Sequence, residues 1–328
     1  MNFLASVRAR AAASRRRVVF AESPDPRTIA AVRALAGERV AEPVLVLDPE
    51  RPDTHRAARA AGVETVDPAS DPAAAEIAAL LLARRGARGL TAAQAAPLAR
   101  QPLYFADGLV ALGRAHAAVA GASHTTADVV RAALWTIGPA PGVTTVSSAF
   151  YMVVPDFRGA GEEVLTFSDC AVVPEPTAEQ LAEIAVAAAR DRRRIVGDEP
   201  RVALLSYSTH ATGAGASVDR VRAALAILRA RGADFAVDGE LQADAALIGD
   251  VAARKAPGSS VAGRANVLVF PSLDAGNTAY KLVERLARAR AIGPIIQGLA
   301  RPCSDLSRGA SADDIMNVAA IAALQATA

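Results

Sequence analysis

Val202-Ala203-Leu204-Leu205-Ser206-Tyr207 is a short apolar run that ends in hydroxyls. After the glycine-bearing stretch to Gly215, Val218, Val221, Leu225 and Leu228 recur at helical spacing, and Gly232 offers a C-terminal stop. Phe235-Ala236-Val237-Asp238 then begins a second apolar run. A strand, an amphipathic helix and a second strand in this order make a parallel β–α–β unit.

The same alternation extends in both directions. Val18–Ala21, Pro43–Leu47, Ala117–Gly121, Val267–Phe270 and Ile292–Ile296 are further strand candidates, separated by segments of 3.6-residue periodicity. Thr177-Ala178-Glu179-Gln180 is a capping box, and it opens a helix with Leu181, Ile184, Ala185 and Ala188 on one face. Val146–Val154 and Val164–Phe167, joined through the Gly159–Gly161 turn region, read instead as a local antiparallel pair. The fold class is therefore α/β with mainly parallel sheet. Pro139-Ala140-Pro141-Gly142 is the best candidate for a domain crossing. The arginine-bearing start, Met1–Arg17, suits either a transit peptide or a short amphipathic helix. The helix is favoured because the first strand follows at once.

Composition narrows the function. The chain has 328 residues, 52% hydrophobic but only 4% aromatic, so Ala, Val, Leu and Ile must build the core. The formal net charge of +2 is dispersed, which excludes a nucleic-acid-binding stripe. No apolar run is long enough for a membrane-spanning helix. The two cysteines, Cys170 and Cys303, form no disulfide framework and fit a reducing compartment. Neither has zinc-ligand spacing, so no metal site is expected.

Several strand ends carry chemistry. Pro302-Cys303-Ser304-Asp305-Leu306-Ser307-Arg308-Gly309-Ala310-Ser311-Ala312-Asp313-Asp314-Ile315 places a hydroxyl, a guanidinium and a carboxylate at a loop–helix junction. That trio suits acyl or phosphoryl transfer. Ser311 and Asp314 are equally a capping box with Asp in place of Glu. Ala122–Asp128 follows a strand and leads into a helix bearing Arg131, where amides and hydroxyls suit an anion. Ser206, Ser208 and Thr209 open a glycine-rich loop at a strand end, where α/β sheets bind ligands. Asn277 suits a ligand carbonyl or a helix cap, and Lys281 suits a phosphate or solvent. No G-x-S-x-G elbow and no G-x-G-x-x-G fingerprint occur, which counts against a serine hydrolase and a nicotinamide enzyme.

Taken together these blocks resemble the phosphate acetyltransferase (phosphotransacetylase) family over nearly the whole chain. The resemblance is strongest in Phe270-Pro271, Gly276-Asn277, Tyr280-Lys281, Ile292-Gly293-Pro294, Gln297-Gly298 and Asp305-Leu306-Ser307-Arg308-Gly309. Asp238–Gln242, Ala256-Pro257, Val261–Arg264, Arg88–Thr91, His124–Arg131 and Asp169-Cys170 also match. Among the departures, Ala310 stands where the family often has Cys.

The resemblance implies two α/β lobes across a cleft, in a fold similar to the isocitrate and isopropylmalate dehydrogenases. It divides the chain into a first domain, 1–141 plus 295–328, and a second, 142–294. It implies reversible exchange of an acetyl group between CoA and inorganic phosphate through a ternary complex. No cofactor is bound permanently, and a cytoplasmic homodimer is expected. Carried over, Ser307 stabilises the transition state, Arg308 holds phosphate and Asp314 takes the CoA thiol proton. Arg131 and Arg85 become contacts to phosphate or CoA. Ser206, Ser208, Thr209, Asn277 and Lys281 remain substrate-contact candidates. The alternatives are a phosphate butyryltransferase-like enzyme and a non-catalytic acetyl-CoA-sensing module. At ordinary pKa values near 4 and 8.5, full proton transfer from a thiol to a carboxylate costs about 6 kcal/mol. Proton removal is therefore expected to be concerted with attack, or aided by neighbouring charge.

Overall fold

The computed structural model of the chain describes residues 2–159 and 161–326. Backbone contacts divide it into two compact units: Met1–Pro141 with Gly293–Ala328 (unit 1), and Gly142–Ile292 (unit 2).

Unit 1 begins with α1 (Phe3–Ser14), capped by the Asn2 side chain, and β1 (Arg17–Phe20). Next come α2 (Pro26–Gly37), β2 (Glu42–Val46), α3 (His55–Arg59) and β3 (Glu64–Val66). Helices α4 (Ala73–Arg85), α5 (Ala92–Leu98) and α6 (Pro102–Ala111) precede β4 (Ala117–Val119) and α7 (Thr126–Thr136). The central strands are buried on both faces; Val18, Val19 and Phe20 are all inaccessible or nearly so.

Unit 2 opens with the antiparallel pair β5 (Ser147–Val154) and β6 (Glu163–Ser168), in register from Ala149 opposite Ser168 to Val154 opposite Glu163. Ala160, in the turn expected between them, lies outside the described residues. The alternation resumes with α8 (Ala178–Ile195), β7 (Arg201–Leu205), α9 (Ala216–Ala230) and β8 (Ala236–Leu241). Then follow α10 (Ala243–Leu247), α11 (Gly249–Lys255), β9 (Val267–Val269) and α12 (Leu273–Leu286). The order is β5-β6-β9-β7-β8, parallel beyond β6. The Thr177–Gln180 capping box forms as expected, and the apolar stripes of α8 and α9 pack with β7 and β9 in one core cluster.

The chain re-enters unit 1 through β10 (Arg290–Gln297), then forms β11 (Cys303–Ser304) and α13 (Ala312–Gln325). Strand order in unit 1 is β3-β2-β1-β4-β11-β10, with only β10 antiparallel to its neighbour. Helix α13 is buried from Ile315 onward and packs against α1, α2 and β4. Its alanines, Ala319, Ala320, Ala322 and Ala323, let backbones approach where bulkier side chains would hold them apart.

Strands β3 and β11 do not stand out in the sequence. The first is a three-residue edge strand, and the second is two residues within the stretch read as loop. Strand β4 stops at Val119, short of the expected Gly121, because Gly121 turns the chain at φ +106°.

At Gly276, α12 passes close to Asp169 and Cys170, just past β6. A Cβ there would lie 2.3 Å from the Asp169 carbonyl oxygen and 3.0 Å from Cys170 Sγ. Gly276→Ala must push α12 off that carbonyl. It is expected to cost about 1–3 kcal/mol in urea unfolding, whereas a midpoint equal to wild type would show that the helix has slack.

Candidate active site

In unit 1 the chain moves from β1 outward through β2 to β3, then returns to place β4 on the other side of β1. Ligands in open α/β sheets bind beyond the carboxyl ends of the strands at such a reversal. Three loops meet there: 21–27 after β1, 120–126 after β4, and 305–311 after β11.

Glu22 joins the first two. Its buried carboxylate accepts the N–H of Ala122 at 2.7 Å, of Ser123 at 2.8 Å and of His124 at 2.9 Å. It also takes His124 Nδ1 at 2.8 Å. Burial alone would raise this carboxyl's pKa; the bonds from the His124 ring and three amides outweigh it and hold the pKa below the ordinary value. The same pairing raises the pKa of His124 against the effect of burial. The amides expected to receive a ligand anion thus already hold an internal one, Glu22.

Thr126 joins the second and third loops, donating its hydroxyl to Asp305 Oδ2 at 2.6 Å. Asp305 is fully buried, and its Oδ1 has no hydrogen-bond partner among the described residues. A Cβ at Gly121 would stand 2.1 Å from that oxygen, so only glycine leaves room for it. Burial pushes the Asp305 carboxyl up to about 7.

Arg27 bridges all three loops through bonds to the carbonyls of Ala122, Arg308 and Ala310. Ser307 and Arg308 are exposed on the turn so held. Ser307 Oγ accepts the Gly309 N–H at 3.3 Å, and the Ala310 N–H bonds the Ser307 carbonyl at 2.8 Å. Asp314, in the first turn of α13, completes a capping box. Its Oδ2 accepts the Ser311 N–H at 3.0 Å and the Ser311 hydroxyl at 2.7 Å, and Ser311 Oγ accepts the Asp314 N–H at 3.2 Å.

A pocket of about 450 Å³ opens at the same end of unit 1, its walls including Asp48, Arg100, Tyr104, His124, Asp128 and Arg131. Arg131 pairs with Asp128 at 2.8 Å yet stays half exposed. Arg85 does not line the pocket. Its guanidinium lies 4.6 Å from the centroid of the Trp135 ring, whose edge contact with Tyr104 leads to the pocket wall.

The other candidates lie in unit 2. Glu240 organises the loop after β7, accepting the Ser208 hydroxyl at 2.7 Å and the Ala211 N–H at 2.8 Å. Burial opposes its charge, but Arg222, with Nε at 2.9 Å, and these bonds hold its pKa down at about 2. Thr209 Oγ1 bonds Gln242 at both its backbone N–H and its side chain. Ser206 Oγ accepts the Ser208 N–H at 3.3 Å. Asn277 donates to the Cys170 carbonyl at 3.1 Å, and Lys281 Nζ donates to the Tyr280 hydroxyl at 2.7 Å. Ser208, Thr209 and Asn277 thus tie neighbouring segments together: the first two join the loop after β7 to the end of β8, and the third joins α12 to Cys170.

A sequence profile of the phosphate acetyl/butaryl transferases matches residues 2–323. The chain belongs to that family. It is 43% identical over 330 residues to a phosphate acetyltransferase of Clostridium acetobutylicum, covering 99% of each chain. With that of Paracoccus denitrificans it shares 47% over 313 residues, 94% of this chain and 95% of the relative. A phosphotransacetylase structure from Streptococcus pyogenes superimposes with a TM-score of 0.89 at 37% identity, covering 99% of both chains. The fold extends to the 4-hydroxythreonine-4-phosphate dehydrogenase of Klebsiella pneumoniae, with a TM-score of 0.53 at 17% identity over 95% of this chain and 100% of that one. The expected dehydrogenase-like α/β class is therefore met.

The run from Ser307 to Asp314 occupies one junction, and Arg131 lies at the same end of unit 1. Sequence reasoning missed Glu22 and Arg27. Their signal was the polar cluster Glu22-Ser23-Pro24-Asp25-Pro26-Arg27 directly after a strand, where ligand-end loops start.

Asp305 gives a signed pH effect. An unfolded aspartate titrates near pH 3.9, while the folded group holds its proton to about 7. Between these values the folded state binds the extra proton, so stability falls as pH rises. Asp107, buried with a pKa of about 7, adds the same slope. Asp305→Asn is expected to flatten the decline by at most about 1.4 kcal/mol per pH unit between roughly pH 4.5 and 6.5. Chemical unfolding across that range checks it; parallel wild-type and variant curves would contradict it.

Proposed function

We propose that the chain transfers an acetyl group reversibly between coenzyme A and inorganic phosphate. One arrangement carries the assignment: Ser307, Arg308 and Asp314 stand together at the β11–α13 junction, the first two exposed and the third half-buried. Full-length relatives bearing the phosphate acetyltransferase name support it.

Towards acetyl-CoA, the thiol sulfur attacks the carbonyl carbon of acetyl phosphate. Asp314 accepts the S–H proton as the C–S bond forms. Collapse of the tetrahedral intermediate breaks the C–O bond and releases phosphate, which Arg308 holds by paired N–H donors. Because Ser307 Oγ accepts from Gly309, its own O–H is left to donate to the developing oxyanion. In the reverse direction phosphate oxygen attacks acetyl-CoA, and Asp314 returns the proton to the departing thiolate. The Ser311 bonds orient the carboxylate for this exchange, so its capping and base roles coexist. Arg131, and Arg85 beside Trp135, are assigned to the anionic groups of CoA. Ser206 and Lys281 are the unit 2 side chains assigned to further substrate contact. The enzyme is proposed to work in the cytoplasm as a homodimer and without a metal; light scattering and a chelator control test the last two.

Thiol release from acetyl-CoA is expected to require phosphate or arsenate. A parallel run with butyryl-CoA ranks the acyl chains, and tight acetyl-CoA binding without turnover would leave a sensing module. Asp314→Asn keeps an acceptor for Ser311, so it should unfold like wild type while kcat falls by roughly 10²–10⁴-fold. Near-normal kcat would reduce Asp314 to a cap. Arg308→Ala should raise the KM for phosphate and lower kcat as well, because the clamp acts on transition-state charge.

A further inference from the structure

Arg27 stands in the first turn of α2, directly after Pro26. Its Nη1 donates to the carbonyl oxygens of Arg308 at 2.7 Å and Ala310 at 2.9 Å. Nη2 donates to the Ala122 carbonyl at 2.8 Å and to Asp25 Oδ2 at 2.7 Å, and Nε to Asp25 Oδ1 at 3.1 Å. Every nitrogen of the guanidinium is engaged. The donors form a rigid planar fork, so they dictate where the carbonyls lie rather than follow them.

The Arg308 carbonyl shares a peptide plane with the Gly309 N–H, and a trans peptide points the two in opposite directions. Holding the carbonyl on Arg27 therefore aims the Gly309 N–H away from Arg27, and that N–H meets Ser307 Oγ. A chain of polar contacts runs from a fixed cation, through one peptide unit, to the Ser307 hydroxyl. Successive hydrogen bonds in such a chain polarise one another. An oxygen that accepts at one end is a better donor at the other.

We propose that Arg27 is a positioning residue for the transfer step, fixing the Arg308–Gly309 peptide so that the Ser307 hydroxyl donates in one set direction. The role deepens, and rests on, the acetyl-transfer activity proposed above.

The test compares Arg27→Lys and Arg27→Ala with Arg33→Ala, a control on the same helix whose guanidinium bonds the Ala60 carbonyl at 2.8 Å. Both Arg27 variants are expected to lose about a hundredfold in kcat, on the scale of a small misplacement of a reacting group. KM for acetyl-CoA and for phosphate should change little, and Arg33→Ala should match wild type. A single ammonium cannot span the carbonyls, so lysine should not restore the rate. On a Ser307→Ala background, Arg27→Ala should cost almost nothing further, whereas a purely structural role would lower kcat by the same factor on both backgrounds. A full additional loss overturns the proposal. So does wild-type kcat in Arg27→Lys, or a rise in phosphate KM at unchanged kcat. Amide hydrogen exchange separates this role from the activity it rests on: Gly309 and Ala310 should exchange faster in either Arg27 variant with no substrate present. Unchanged exchange overturns the role of Arg27, while wild-type protein without phosphate-dependent thiol release overturns the activity alone. Should Arg27→Ala fail to fold, Arg27→Lys supplies the kinetic and exchange measurements.

Discussion

A carboxylate buried beneath backbone amides holds the ligand end of unit 1 together. Glu22 leaves the end of β1 and takes the N–H groups of Ala122, Ser123 and His124 from the loop after β4. Those donors face inward at the mouth of α7, where water cannot serve them all. Leaving them unpaired would cost on the order of 1–3 kcal/mol each. With Glu22 in place, Ala122 presents its carbonyl to Arg27 and Thr126 reaches Asp305. The turn that exposes Ser307 and Arg308 is thus built outward from one charge.

The same device recurs in unit 2. Glu240, at the end of β8, gathers Ser208, Ala211 and Arg222 and shapes the loop after β7. Asp169, just past β6, accepts the N–H groups of Ser148, Ala171, Val172 and Val173. Burial is the dominant influence on Asp169 and raises its pKa. Short parallel strands end in abrupt turns whose amides have no ladder partner. A carboxylate at a strand end satisfies several donors at once.

Local signals in the sequence were legible; distant pairings were not. The capping boxes at Thr177–Gln180 and Ser311–Asp314 span four residues each and form as read. The apolar stripes of α8 and α9 identify buried faces because helical spacing is itself local. Short β3 and β11 carry too few side chains to show a period. The contacts of Glu22 with Ala122 and of Arg27 with Arg308 join positions 100 and 281 residues apart. Nothing in the spacing of either partner reveals the other. Ser307, Arg308 and Asp314 were visible as a group because they are nearly contiguous, whereas Arg27, which bonds the carbonyls of Arg308 and Ala310, comes from another part of the chain.

The poverty of aromatics gives unit 1 an optical handle. Trp135 is the only tryptophan in the chain. The Arg85 guanidinium covers its ring, and Tyr104, part of the pocket wall, meets it edge-on at 6.1 Å between centroids. Tryptophan emission therefore comes from a single place, beside the pocket that Arg131 lines, and a cation sits against the chromophore. Any change that draws Arg85 off the indole alters the field felt by the excited state, so the position of this one cation can be followed by fluorescence in the unmodified protein.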